Sequence, residues 1–193
     1  ANEDGFGVLH LYDVASKTEK PVANLPKGLV ERVHWRRHSH ELGFNIDSAR
    51  SPADVYSFDT DGGKLERWTF SETGGLNTSR FSEPELIHWK SWDGKSISGF
   101  LYRPAARFTG PRPTIILIHG GPEGQFRPNF LGTTNYYLNE LGVALIFPNV
   151  RGSTGYGKAF LAADNGLLRE GSYKDINSLF DWIGQQPEFD AKR

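Results

Sequence analysis

Apolar and polar residues alternate through the first eighty positions. Leu42-Gly-Phe-Asn-Ile46 and Asp54-Val-Tyr-Ser-Phe58 put every second side chain on one face, the period of a half-buried strand. Val8-Leu-His-Leu-Tyr12 and Val33-His-Trp35 read the same way, and the polar stretch Arg36 to Glu41 turns the chain between strands. Asp59-Thr-Asp-Gly-Gly63 is a hairpin signal, followed by the alternating Lys64-Leu-Glu-Arg-Trp-Thr-Phe70. Leu9-His-Leu-Tyr-Asp13 is echoed by Val55-Tyr-Ser-Phe-Asp59 at the ~40–50-residue spacing of propeller blades. An ordinary antiparallel sheet explains the echo as well.

The pattern then breaks. Ser71 to Ser82 is polar, contains glycine and has no period, which predicts a boundary between an all-β part over 1–80 and a second part over 81–193. Glu85 to Ser91 and Ser96 to Tyr102 are predicted strands of a hairpin turning at Trp92-Asp93-Gly94-Lys95. From Thr114 strands and helices alternate, the order of a parallel α/β sheet. Ile115 to Ile118, four large apolar residues in a row, predict a central strand buried on both faces. Val143-Ala-Leu-Ile-Phe147 is a second such strand, stopped by Pro148. Helices are expected over Asn129 to Leu141 (ended by Gly142), over Gly157 to Leu168, and over Ser172 to Gly184. In the last, Ser172-x-x-Asp175 resembles a capping box, and Ile176, Leu179, Phe180 and Ile183 form an apolar stripe.

Composition narrows the function classes. With 37% hydrophobic and 13% aromatic residues the 193-residue chain can build a core. Its net charge of -1 gives no electrostatic case for nucleic acid or an anionic membrane as partner. No apolar run approaches the roughly 20 residues of a membrane span, and no signal-peptide pattern opens the chain. There are no cysteines, so disulfides and thiolate metal sites are excluded. These absences favour a cytoplasmic setting and leave the compartment open. The chain starts at Ala1 and contains no methionine, which reads as a processed or cut start.

The candidate chemistry sits at the ends of the two buried strands. The first runs into His119-Gly120-Gly121-Pro122. Two glycines allow a tight bend and leave backbone N–H groups bare, as in an oxyanion hole; an ordinary strand followed by a Gly-Pro turn has the same composition. His38-x-His40 has the spacing of a chelating pair but lacks acidic or cysteine partners at metal spacing, so no metal or cofactor is expected. The second strand runs into Asn149-Val-Arg151-Gly152-Ser153-Thr154-Gly155-Tyr156-Gly157.

Together, in this order, the two segments resemble the serine peptidases of the prolyl oligopeptidase family, especially the acylaminoacyl-peptidase-like and dipeptidyl-peptidase-like branch. The likeness covers most of residues 85–193, including Lys174-Asp175-Ile176 and Asp181-Trp182-Ile183, while residues 1–80 look like the last blades of that family's β-propeller. The resemblance implies an α/β class: the N-terminal part of an α/β-hydrolase domain preceded by propeller blades. It implies acyl-enzyme hydrolysis of short peptides by a serine, a histidine and an aspartate. It also implies that Gly121, with Gly120 beside it, holds the developing oxyanion, each such donor being worth roughly 3–4 kcal/mol in the transition state. His119, Glu123, Arg151 and Tyr156 become candidates for places near the substrate. For His119 a strand-end structural role, and for Arg151 an ion-pairing role in its loop, compete with that placement.

The nucleophile is another matter. No Gly-x-Ser-x-Gly elbow occurs in the chain, Ser153 is displaced by one position from such a motif, and no histidine follows His119. The sequence therefore reads as a fragment cut before the triad, inactive alone, with the strand Thr114–Ile118 left as an open edge that promotes self-association. Two other functions fit parts of the pattern. One is a propeller-type binding module with a hydrolase-like appendage and no chemistry, and the other an esterase or lipase with a His-Gly-Gly turn.

Overall fold

A computed structural model describes every residue except Pro21, Ala23, Pro122 and Arg193. The chain divides into two compact units: Ala1–Ser79 with Arg127–Phe130, and Arg80–Phe126 with Leu131–Arg193.

The first unit is all β. Two short hairpins, β1 (Asn2–Glu3) with β2 (Phe6–Gly7) and β3 (Leu11–Asp13) with β4 (Thr18–Lys20), precede a four-stranded antiparallel meander. Its strands are β5 (Gly28–Trp35), β6 (Glu41–Ser48), β7 (Ser51–Asp59) and β8 (Leu65–Arg67), paired in chain order. The alternation seen in the sequence becomes alternating burial: Leu42, Phe44 and Ile46 of β6 pack with Tyr56 and Phe58 of β7. Beside this core lies the buried Asp54, which accepts hydrogen bonds from Thr69 Oγ1 (2.7 Å), Ser51 Oγ (2.8 Å) and Ser71 N (2.9 Å), and pairs with Arg67. Burial pushes its carboxyl up, but the bonds from Thr69, Ser51, Arg67 and Ser71 outweigh this and hold it at about 2. Segment Arg127–Phe130 joins the unit through Phe130 N, which donates to Asp47 Oδ1 at 2.8 Å.

The second unit is a four-stranded mixed sheet with helical segments. Its strands are β9 (Glu85–Lys90), β10 (Ser96–Tyr102), β11 (Thr114–Ile116) and β12 (Ala144–Asn149), in the spatial order β11-β12-β10-β9. The hairpin β9–β10 turns at the Asp-Gly sequence expected of it. Ala144 and Ile146 point to one face, where they join Ile87, Trp89, Ile97 and Leu101 under Leu179 and Ile183 of the long helix. Leu145 and Phe147 point to the other face, where Phe147 meets the rings of Tyr102 and Phe126 edge-on at 5.4 and 4.9 Å.

Several local expectations change here. β11 lies at the sheet edge, as the open-edge expectation for Thr114–Ile118 has it, but the run is not buried on both faces: Ile115 and Ile118 are 37% and 53% exposed. A run of apolar residues reports hydrophobicity, not whether both faces of the strand are covered. Pro148 does not stop β12, which continues to Asn149, because the residue opposite Pro148 is Gly99. A Cβ at Gly99 would lie 2.9 Å from Phe147 O, so the close approach needs glycine. The helix expected over Asn129 to Leu141 is shorter and irregular, tight at its start and wide at its end. A 3-10 turn at Gly132–Thr134 leads to a π-helical turn, Tyr137–Leu141, closed by Gly142 at φ 65°. The helix expected over Gly157 to Leu168 is a single turn, α1 (Lys158–Leu161), continued by 3-10 turns at Ala162–Asp164 and Gly166–Arg169.

The long helix, α2, spans Glu170–Gly184. The capping box is not formed: Ser172 lies inside the helix and donates to Arg169 O at 2.8 Å, while Asp175 is buried. The inward face is Gly171, Ser172, Asp175, Leu179 and Ile183, whereas Phe180 is 57% exposed.

Candidate active site

The site is built on one consequence of strand direction. β11 and β12 are parallel, with Thr114, Ile115 and Ile116 opposite Ala144, Leu145 and Ile146, so the segments that follow them leave from the same end of the sheet. Those segments are the turn 119–126 and the loop 150–157. Asn149, fully buried at the end of β12, ties them together: its Oδ1 accepts from Phe126 N (2.7 Å) and its Nδ2 donates to Phe126 O (2.9 Å). Thr154 N donates to Gly124 O at 2.8 Å, and His119 Nε2 meets Ser153 Oγ at 2.9 Å.

Gly120 and Gly121 are exposed at this rim. Gly121 has φ 129°, and a Cβ there would fall 2.7 Å from Glu123 N. Only glycine takes that conformation cheaply, and the backbone N–H groups of the turn are its chemical resource. Pro122 lies outside the described residues. Glu123 is exposed beside the turn. Tyr156 is half-buried, with its ring 5.0 Å from that of Phe160, and its hydroxyl accepts from Ser98 Oγ (3.0 Å) and Asn149 Nδ2 (3.1 Å).

The Ser153–His119 contact has the length of a nucleophile–base pair but not its setting. Ser153 is fully buried and its hydroxyl donates to Val150 O at 2.6 Å, so no substrate carbonyl reaches it. His119 Nδ1 faces Gly120 O at 3.2 Å rather than an orienting carboxylate. The pair is structural.

Arg151 organises the opposite side of the same loop. It is 5% exposed; its Nε and Nη2 bond the two oxygens of Asp175 at 2.9 and 2.7 Å, and its Nη1 and Nη2 bond those of Asp93 at 3.0 Å each. Asp175 also accepts from Arg151 N (3.0 Å) and Ser91 Oγ (2.5 Å). The Asp175 hydrogen bonds, against the opposing effect of burial, raise the guanidinium above its ordinary value, and the Asp93 bonds add to this. Arg151 in turn holds the Asp93 carboxyl below the usual carboxylate range. Trp92 stacks under both Arg151 and Lys174, at 5.2 and 4.8 Å. The β9–β10 turn, the β12 loop and α2 are thus held by one charge cluster.

The structure therefore brings His119, Gly120, Gly121 and the Ser153–Tyr156 segment to one rim, and turns the Arg151 side chain toward Asp93 and Asp175. The sequence motifs contain Asn149, Asp93 and Asp175 but gave none of them a place in the site. A polar residue ending an apolar strand, and an aspartate at a core-facing helix position, were the available signals. His38 and His40 belong to the first unit, where His40 Nδ1 meets Asp61 Oδ2 at 2.6 Å. Among the described residues no cluster of three or more His, Asp or Glu side chains is arranged to hold a metal, and no helix is long and apolar enough to cross a membrane.

Residues 128–193 match the sequence profile of the Prolyl oligopeptidase family. The chain is 31% identical over 145 residues to an uncharacterized peptidase, YuxL, of Bacillus subtilis (strain 168), covering 74% of this chain and 22% of that protein. It is 28% identical over 146 residues to dipeptidyl aminopeptidase BIII of Pseudoxanthomonas mexicana, covering 72% and 21%. Among solved structures, a puromycin hydrolase superposes with a TM-score of 0.81 at 21% identity, over 97% of this chain and 29% of that one. A prolyl endopeptidase superposes with a TM-score of 0.79 at 19% identity, over 97% and 28%. The chain spans about a fifth of the length of the curated relatives it matches.

Proposed function

We propose that this chain, a relative of the peptidases of the prolyl oligopeptidase family, is part of a serine-type peptidase that hydrolyses short peptides through an acyl-enzyme. Its second unit is the N-terminal part of an α/β-hydrolase domain. The antiparallel meander β5–β8 of its first unit is propeller-blade material. When a serine oxygen adds to a peptide carbonyl, negative charge gathers on the carbonyl oxygen. A donor fixed in place beforehand lowers that barrier without having to reorganise. Gly121, supported by Gly120, is the donor this chain offers, and Glu123 lies beside it for the substrate's free end. The observation that carries the reading is the parallel β11–β12 pair, which delivers the glycine turn and the Arg151–Tyr156 loop to one rim.

The 193 residues contain no Gly-x-Ser-x-Gly, and no histidine follows His119, so the chain alone performs no hydrolysis. A serine-directed fluorophosphonate probe separates the cases. It should label a product in which these residues are joined to such an elbow and leave the 193-residue chain unmodified; stoichiometric labelling of the 193 residues contradicts the proposal. Turnover of aminoacyl in preference to simple acyl esters by the joined product distinguishes a peptidase from an esterase.

A further inference from the structure

His119 takes no part in the chemistry proposed above, yet its imidazole touches the peptide group on which that chemistry depends. Its Nδ1 lies 3.2 Å from Gly120 O. The Gly120 carbonyl and the Gly121 N–H belong to the same planar peptide unit, so whatever fixes the direction of one fixes the other. On the far side of the ring, Nε2 lies 2.9 Å from Ser153 Oγ, which donates onward to Val150 O at 2.6 Å. The ring also meets Phe126 edge-on at 5.3 Å. Gly124 has no Cβ where one would press within 2.9 Å of Nδ1 and 3.0 Å of Gly120 O.

Ser153, held by Val150 O, anchors one side of the ring, and the Gly120 carbonyl meets the other. We propose that His119 is a positioning residue: its imidazole bridges Ser153 to the Gly120 carbonyl and so sets the direction of the Gly121 N–H. The catalytic meaning of this coupling rests on the oxyanion reading of Gly121, whereas the coupling itself does not.

The charged neighbours leave the imidazole to these partners. Arg151, on the Ser153 loop, is engaged by Asp93 and Asp175. Asp164, behind Gly152, is paired with Arg169, and Glu123 on the turn is exposed. The Tyr156 hydroxyl is turned to Ser98 and Asn149.

The test needs neither substrate nor activity. In the ¹⁵N-labelled 193-residue chain, the residual dipolar coupling of the Gly121 N–H, which reports its direction, is compared between the unmodified chain, Ser153→Ala and His119→Gln. Both variants should change the Gly121 coupling while the couplings of the β12 amides stay as they are. Should His119→Gln fail to fold, Ser153→Ala, which removes only the far anchor of the ring, decides. A Gly121 coupling that is unchanged in Ser153→Ala overturns the proposal. That failure leaves the peptidase reading untouched, because the fluorophosphonate experiment answers for it separately.

Discussion

Arg151 and Asp175 meet through two side-chain hydrogen bonds, at 2.9 and 2.7 Å, with Arg151 5% exposed and Asp175 fully buried. The pair joins the loop that carries half of the rim to the helix beneath it. Breaking one partner leaves an uncompensated charge where water does not reach. Arg151→Ala should therefore destabilise the second unit by about 3–5 kcal/mol, and Asp175→Ala similarly. The double variant should cost clearly less than the sum. A double-mutant cycle in urea measures this, and additive losses would show that the two residues do not act as a pair.

Gly152 shows where the loop has no room. It sits at φ 94°, and a Cβ there would lie 2.3 Å from Asp164 Cγ. Gly152→Ala should cost at least about 1–3 kcal/mol, through positive-φ strain compounded by overpacking. Gly63 also has positive φ, at 67°, but open space around it, so Gly63→Ala should show the smaller cost of strain alone, about 1–2 kcal/mol. Thermal melts of the two variants, side by side, check the difference.

Asp54 makes the first unit sensitive to acid. Its carboxyl titrates at about 2 in the folded chain, below the ordinary value of 3.8. Because the folded value is the lower one, the stabilisation is complete above the unfolded value and is lost as pH falls through about 2. The gap corresponds to about 2 kcal/mol. Denaturant midpoints measured between pH 6 and pH 2 should fall accordingly, and Asp54→Asn should start lower and flatten that part of the profile. An unchanged slope in Asp54→Asn would assign the acid sensitivity elsewhere.

β11 pairs, among the described residues, only with β12, and the exposed Ile115 and Ile118 lie along it. An apolar edge strand is a template for association. The 193-residue chain should sediment as more than a monomer, and Ile115→Lys with Ile118→Lys should reduce the association. A monodisperse monomer at working concentration contradicts this.

What was legible in the sequence is what depends on local period. The alternation in Leu42–Ile46 gave the buried face of β6, and Trp92-Asp93-Gly94-Lys95 gave the β9–β10 turn. The two apolar runs gave the parallel pair that holds the rim. What escaped depends on contacts between distant residues. Asp175 looks like a helix cap until Arg151, from the β12 loop, is placed opposite it. Pro148 looks like a strand stop until Gly99 is set beside it. Phe180 fits an apolar stripe by spacing, but Ser172 and Asp175 occupy the inner face because a charge cluster, not a hydrophobic surface, receives the first turns of α2. Ser153 and His119, far apart in the chain, gave no sign that they touch.

The most direct measurement of the central claim is structural. A peptidase containing these residues, trapped as a tetrahedral fluorophosphonate or boronate adduct, shows which donors face the anionic oxygen. The account predicts Gly121 N at about 2.7–3.1 Å from that oxygen. An adduct oxygen held by other donors, with the Gly121 N–H turned away, would contradict it.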